Sequence, residues 1–99
     1  MGRGQRDLEQ ADRIFSALSH RMRRSILVVL SARGGSMTSG EIADRFDCTW
    51  PTTSRHLKLL EEAGLVEFVV EGRERHYRLL RSPLTKELRS WTERFETAD

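Results

Sequence analysis

Residues 48–60, CTWPTTSRHLKLL, set a lone cysteine and a histidine around a run of hydroxyls and cations. Thr49 can cap a helix, Pro51 falls in its first turn where a missing N–H does no harm, and Gly64 is placed to end it. On a helical wheel Thr53, Leu57, Leu60 and Gly64 share one face, which turns inward. Pro51, Ser54, Arg55 and Lys58 point the other way, with Thr52 at the edge and Trp50 at the helix start. His56 lies off the inward centre, where packing against the core competes with an outward contact.

Upstream, Leu8, Ala11, Phe15 and Leu18 recur at helical spacing with Ile14 beside them, so residues 7–18 read as an amphipathic helix and residues 1–6 as a disordered lead. Ser19 can cap a second helix, in which Met22, Ile26, Val29 and Leu30 form the inward stripe and Arg33-Gly34-Gly35 supplies a stop. Thr38 and Glu41 have the spacing of a capping box, flanked by Met37 and Ile42 where a hydrophobic staple would form. They open a short helix through Phe46, and Asp47 and Cys48 make the turn into the stretch quoted above.

Downstream, residues 65–70 and 75–80 are rich in strand formers, and Glu71-Gly72-Arg73-Glu74 between them is a short glycine-containing turn. Ser82-Pro83 opens a last helix, residues 82–97, whose Leu84, Leu88, Trp91 and Phe95 make a narrow, bulky apolar stripe. Such a stripe needs a partner surface. The fold expected is mainly α with a small β-hairpin, in the order α-α-α-α-β-β-α, and 99 residues of 37% hydrophobic content suit a single domain over 1–99.

The formal net charge is only +2, so any anion-binding face must be local. Residues 1–33 hold seven arginines against three acids, whereas residues 34–64 hold three cations against five. No apolar run approaches the roughly 20 residues that span a bilayer, so a cytoplasmic protein with no membrane partner is expected. There is no glycine-rich phosphate loop, nucleophile motif or evident acid/base pair, and no enzymatic role is expected.

Two short helices joined by a tight turn, with a hairpin directly behind the second, is the order of a winged helix-turn-helix domain. In that arrangement the second helix enters the DNA major groove and the hairpin reaches flanking backbone. Short hydroxyls admit close approach to base edges, arginine can hold guanine bidentately, and lysine can neutralise a phosphate. Trp50, Pro51, Thr52, Ser54, Arg55, His56 and Lys58 are therefore the candidate reading surface, and Arg73 and Arg75 the candidate wing contacts. Arg21, Arg23 and Arg24 cluster with His20 at a helix start, where phosphate can meet backbone N–H groups; solvation or ion pairing serves equally well for them. The same helix face could instead dock a protein, a use that outward apolar residues would favour, and mostly hydroxyls and cations stand there.

The chain resembles the ArsR-type family of winged-helix repressors over residues 11–97. The resemblance is carried by ALSHRMRRSIL (17–27), GEIA (40–43), TWPTTSRHLKLLEEAGLV (49–66) and EGRERHYRL (71–79), and the last helix is similar to the subgroup that lacks metal-binding motifs. It implies a homodimer that represses transcription from a palindromic operator on double-stranded DNA and is released by an unknown small-molecule inducer or modification. It also implies a dimer interface on the first and last helices, here Leu8, Ala11, Phe15, Leu84, Leu88, Trp91 and Phe95. The family's usual Asp-Pro pair is replaced by His20-Arg21, which leaves Ser19 to hold the start of the second helix. Thr38 and Gly40 stand where relatives carry a Cys-x-Cys metal site, and residues 82–99 contain no histidine, so no metal and no cofactor are expected. A single-cysteine redox sensor at Cys48 is the remaining alternative to a small filler in a turn.

Overall fold

The computed structural model describes residues 3–96. Helices α1 (Arg3–Leu18) and α2 (Arg21–Arg33) lead to a short strand β1 (Ser36–Thr38), then α3 (Ser39–Phe46), α4 (Trp50–Glu62), strands β2 (Val66–Glu71) and β3 (Glu74–Leu79), and a last helix α5 (Arg81–Glu96). The strands form one antiparallel sheet in the order β1-β3-β2.

Helix α1 begins four residues earlier than its apolar periodicity indicates, which corrects the disordered lead; residues 1 and 2 lie outside the described residues. Arg3, Gln5 and Arg6 are good helix formers and only Gly4 opposes them. Ile14 and Ala17 carry the burial on α1, while Leu8 is left 64% exposed.

The start of α2 differs from the expected cap by one residue. The Ser19 hydroxyl donates to the Ser16 carbonyl at 2.6 Å and the Ser19 N–H bonds the same oxygen, so Ser19 closes α1. His20 is the last extended residue, and its Nδ1 accepts the Met22 N–H at 3.1 Å. In α2 it is Leu27, with Ile26 and Leu30, that is fully buried, while Met22 and Val29 are only half-buried. Gly34 and Gly35, both at positive φ, turn the chain out of the helix.

Strand β1 has no counterpart in the sequence reading. It pairs Met37 with Tyr77 and buries both. The expected capping box follows it directly: Thr38 Oγ1 accepts the Glu41 N–H at 3.1 Å and the Glu41 carboxylate accepts the Thr38 N–H at 2.8 Å. That backbone bond, helped by Arg33, holds the Glu41 carboxyl below its ordinary value. Asp47, in left-handed conformation, ends α3.

The core gathers Ile14, Ile26, Leu30, Met37, Ile42, Leu57, Leu60, Leu65, Val66 and Tyr77, so every element but α5 contributes a fully buried residue, α3 through Ile42 and the sheet through Met37, Val66 and Tyr77. At the far end of α4, Gln10 of α1 donates to the Ala63 carbonyl at 2.8 Å. Helix α4 is thereby tied to α1 as well as to the core.

Candidate nucleic-acid interface

Helix α4 divides along its length as its sequence predicts. Thr53, Leu57 and Leu60 have no exposed surface, and Thr53 also donates its hydroxyl to the Thr49 carbonyl at 3.1 Å. Thr49 caps the helix by accepting the Thr52 N–H, and its hydroxyl donates to Thr52 Oγ1 at 3.0 Å. On the other face Pro51, Arg55 and Lys58 are exposed, Trp50 stands half out of the surface at the first turn, and Thr52 and Ser54 are half-buried between them. The result is a solvent-facing strip of short hydroxyls and two cations on a helix whose other side is locked into the core.

Two residues of the sequence-derived set do not belong to that strip. Arg23 is 8% exposed, and its guanidinium donates to the Ala17 carbonyl at 2.9 Å, the Ser16 carbonyl at 3.2 Å and His56 Nδ1 at 3.1 Å. It is a structural cation, unavailable to phosphate. His56 is equally buried and spends Nδ1 on Arg23, so it packs rather than reads. Burial pushes the His56 imidazole below its ordinary value, and the nearby His20, Arg23 and Arg55 act in the same direction. The fold brings the His20 and His56 rings to 4.4 Å, a contact that their separation in sequence hides. Arg24 keeps its place at the surface, with one guanidinium N–H donated to the Leu18 carbonyl at 2.7 Å.

The hairpin behind α4 projects Gly72 and Arg73 at its tip. Gly72 at φ 64°, followed by a residue at negative φ, gives the sign pattern of a type II′ turn, which suits the twist of two strands joined by two residues. Arg73 is exposed there, and Arg75 lies with its guanidinium 4.4 Å over the Phe68 ring, which in turn meets Tyr77 at 5.3 Å. The wing thus carries one cation held on an aromatic platform and one at its end.

Cys48 is half-buried in the α3–α4 turn, its thiol 3.4 Å from the Met22 sulfur and from the Phe46 carbonyl. It fills space between α2 and the turn. Among the described residues no group of three or more His, Cys, Asp or Glu could hold a metal ion, and no helix is long and apolar enough to cross a membrane.

Residues 18–69, which include α2, α3 and α4, match the helix-turn-helix domain family. The transcriptional repressor SdpR of Bacillus subtilis (strain 168) is 38% identical over 66 residues, covering 67% of this chain and 71% of that protein. Among solved structures, an ArsR family transcriptional regulator superposes with a TM-score of 0.79 at 32% identity, over 92% of this chain and 95% of that one. A homodimeric winged helix-turn-helix DNA-binding domain from Mycobacterium bovis, described as a possible ArsR-family transcriptional regulator, gives a TM-score of 0.76 at 26% identity, over 100% of this chain and 91% of that one.

Proposed function

Because this chain belongs to the helix-turn-helix domain family and is an ArsR-type winged helix-turn-helix DNA-binding transcriptional regulator, we propose that it acts as a homodimeric repressor that occludes a palindromic operator. The observation that carries this reading is the division of α4, with Thr53, Leu57 and Leu60 wholly buried and Arg55 and Lys58 exposed beside Ser54. A helix so held can offer its polar face to a groove without unfolding anything.

In this mechanism two copies of α4 lie in successive major grooves about 34 Å apart on one side of the duplex. Ser54 and Arg55 read base edges, with Trp50, Pro51 and Thr52 against sugar and thymine methyls at the helix start. Lys58 and Arg24 hold phosphates, and Arg73 and Arg75 reach the flanking backbone from the wing. The copies join through α1 and α5, where Leu8, Ala11, Phe15, Leu84, Leu88, Trp91 and Phe95 supply the apolar surface. The homodimeric Mycobacterium bovis domain and the SdpR repressor support the assembly and the sign of regulation. The chain works in the cytoplasm, does no catalysis, and is released from DNA by an unknown signal, a small-molecule inducer or a modification. Selecting bound duplexes from a random pool tests this: an enriched inverted repeat with half-sites about 10 base pairs apart is expected. Failure to enrich any sequence would overturn the reading.

A further inference from the structure

Arg23 joins three helices that the proposed function uses for different purposes. It sits on α2, donates twice to the carbonyl end of α1, and donates a third time to His56 on the inner face of α4. The bond to Ala17 satisfies a carbonyl at the helix end, and the bond to Ser16 joins those that Ser19 already makes to the same oxygen. The third requires a lone pair on His56 Nδ1, which an imidazolium does not have. From this geometry we propose that the Arg23–His56 bond is the joint that seats α4 on α1 and α2, and that protonation of His56 opens it and weakens operator binding. His56 is a positioning residue in this scheme and touches no DNA.

The surroundings favour such a response. The charges acting on His56 are His20 and Arg23 from α2 and Arg55 from its own helix, and all three disfavour the imidazolium. From α1, the Ser16 and Ala17 carbonyls face the joint but are already engaged by Arg23. Asp12 and Arg13 of α1 and Glu62 of α4 line the open cleft in which Arg23 also lies. The His20 ring lies 4.4 Å from the His56 ring at a tilt of 50°, its Nδ1 held by the Met22 N–H, so the partner of His56 Nδ1 is Arg23. An imidazolium there meets the Arg23 guanidinium donor to donor, and the first turns of α4, which carry Trp50 to Arg55, must shift to separate them.

The sign is set by linkage. The folded, seated state holds His56 below the ordinary imidazole value of about 6.5, so its contribution is complete above that value and is lost as pH falls through the folded one. Each unit of difference between the seated and released states is worth about tenfold in affinity once the pH lies below both values. Ordinary electrostatics predicts the reverse, because acid adds positive charge to a protein that binds a polyanion. The two signs are therefore opposed.

The inference rests on the proposed DNA-binding role, and two measurements keep the two apart. In the first, affinity of the full chain for a duplex selected from a random pool is followed from pH 7.5 to pH 5. The wild type should lose affinity progressively as the pH falls, His56→Gln, whose amide oxygen can accept from Arg23 without titrating, should bind as well at pH 7.5 and show no loss, and His20→Asn should keep the loss. Acid-strengthened or unchanged binding by the wild type, or the same loss in His56→Gln, would overturn the joint. In the second, NMR follows the His56 ring proton without DNA: it should titrate below the ordinary value, and the amides of α4 and of Ala17 should shift at the same midpoint. Titration at or above the ordinary value, or α4 amides that do not follow it, would also overturn the proposal. A chain that binds no duplex at any pH fails the proposed function, and the NMR titration still decides the joint.

Discussion

Helices α4 and α5 are both amphipathic, yet they meet opposite fates. In α4 the inward face is absorbed by the chain's own core, with Thr53, Leu57 and Leu60 at zero exposure, although Trp50 and Leu59 stay exposed outside it. In α5 no residue is buried: Trp91 meets Phe15 edge-on at 5.5 Å and stacks near Phe95 at 5.8 Å, and Phe95 remains 69% exposed. The same kind of stripe thus closes a domain in one helix and leaves a surface uncovered in the other. An apolar face left open at this scale marks an interaction site, and the proposed dimer is the partner that would cover it. In α4 the face left to act is mostly hydroxyls and cations.

The contrast can be broken most forcefully in the core. Leu57→Ala should cost about 2–5 kcal/mol of folding stability, because a fully buried leucine leaves a cavity, and urea unfolding will measure it. Phe95→Ala, equally apolar but exposed, should change the stability of the dilute, dissociated chain by less than about 0.5 kcal/mol. A comparable loss at both positions would mean that α5 is closed within one chain. Trp91→Glu should instead act on assembly, placing a charge in the proposed interface and giving monomers by light scattering with the helical content kept. On α4, Arg55→Ala should cost about 1–3 kcal/mol on the selected duplex and relax its sequence preference, whereas Lys58→Ala should weaken all duplexes alike and lower the salt slope by about one. Identical effects would undo that division of roles. A modest change is expected from Thr49→Ala, about 1 kcal/mol in stability through the lost cap of α4, still above that of Phe95→Ala.

What could be read from sequence follows the range of the interactions involved. The Thr38–Glu41 box and the Thr49 cap act over three residues, so their spacing reveals them, and the inward stripe of α4 is legible because every member lies on one helix. Strand β1 is too short for an alternating pattern, and its partner Tyr77 is supplied from the far end of the chain. The Arg23–His56 bond spans 33 positions, so Arg23 resembles one more surface cation in an arginine-rich helix start. The cap of α2 falls on His20, one residue after the serine that cap preference favours, because Ser19 is engaged in ending α1. In α5 the stripe is plain, but a stripe states only that burial is needed, and within the chain it meets little more than Phe15 and the edge of the core at Leu84.

The pairing of the two helices' roles is tested most directly by the mass of the complex on the selected duplex. Light scattering should give two chains per duplex for the wild type, and Trp91→Glu should lose both the second chain and most of the affinity while α4 is unchanged. A single chain bound per duplex at undiminished affinity would contradict the account.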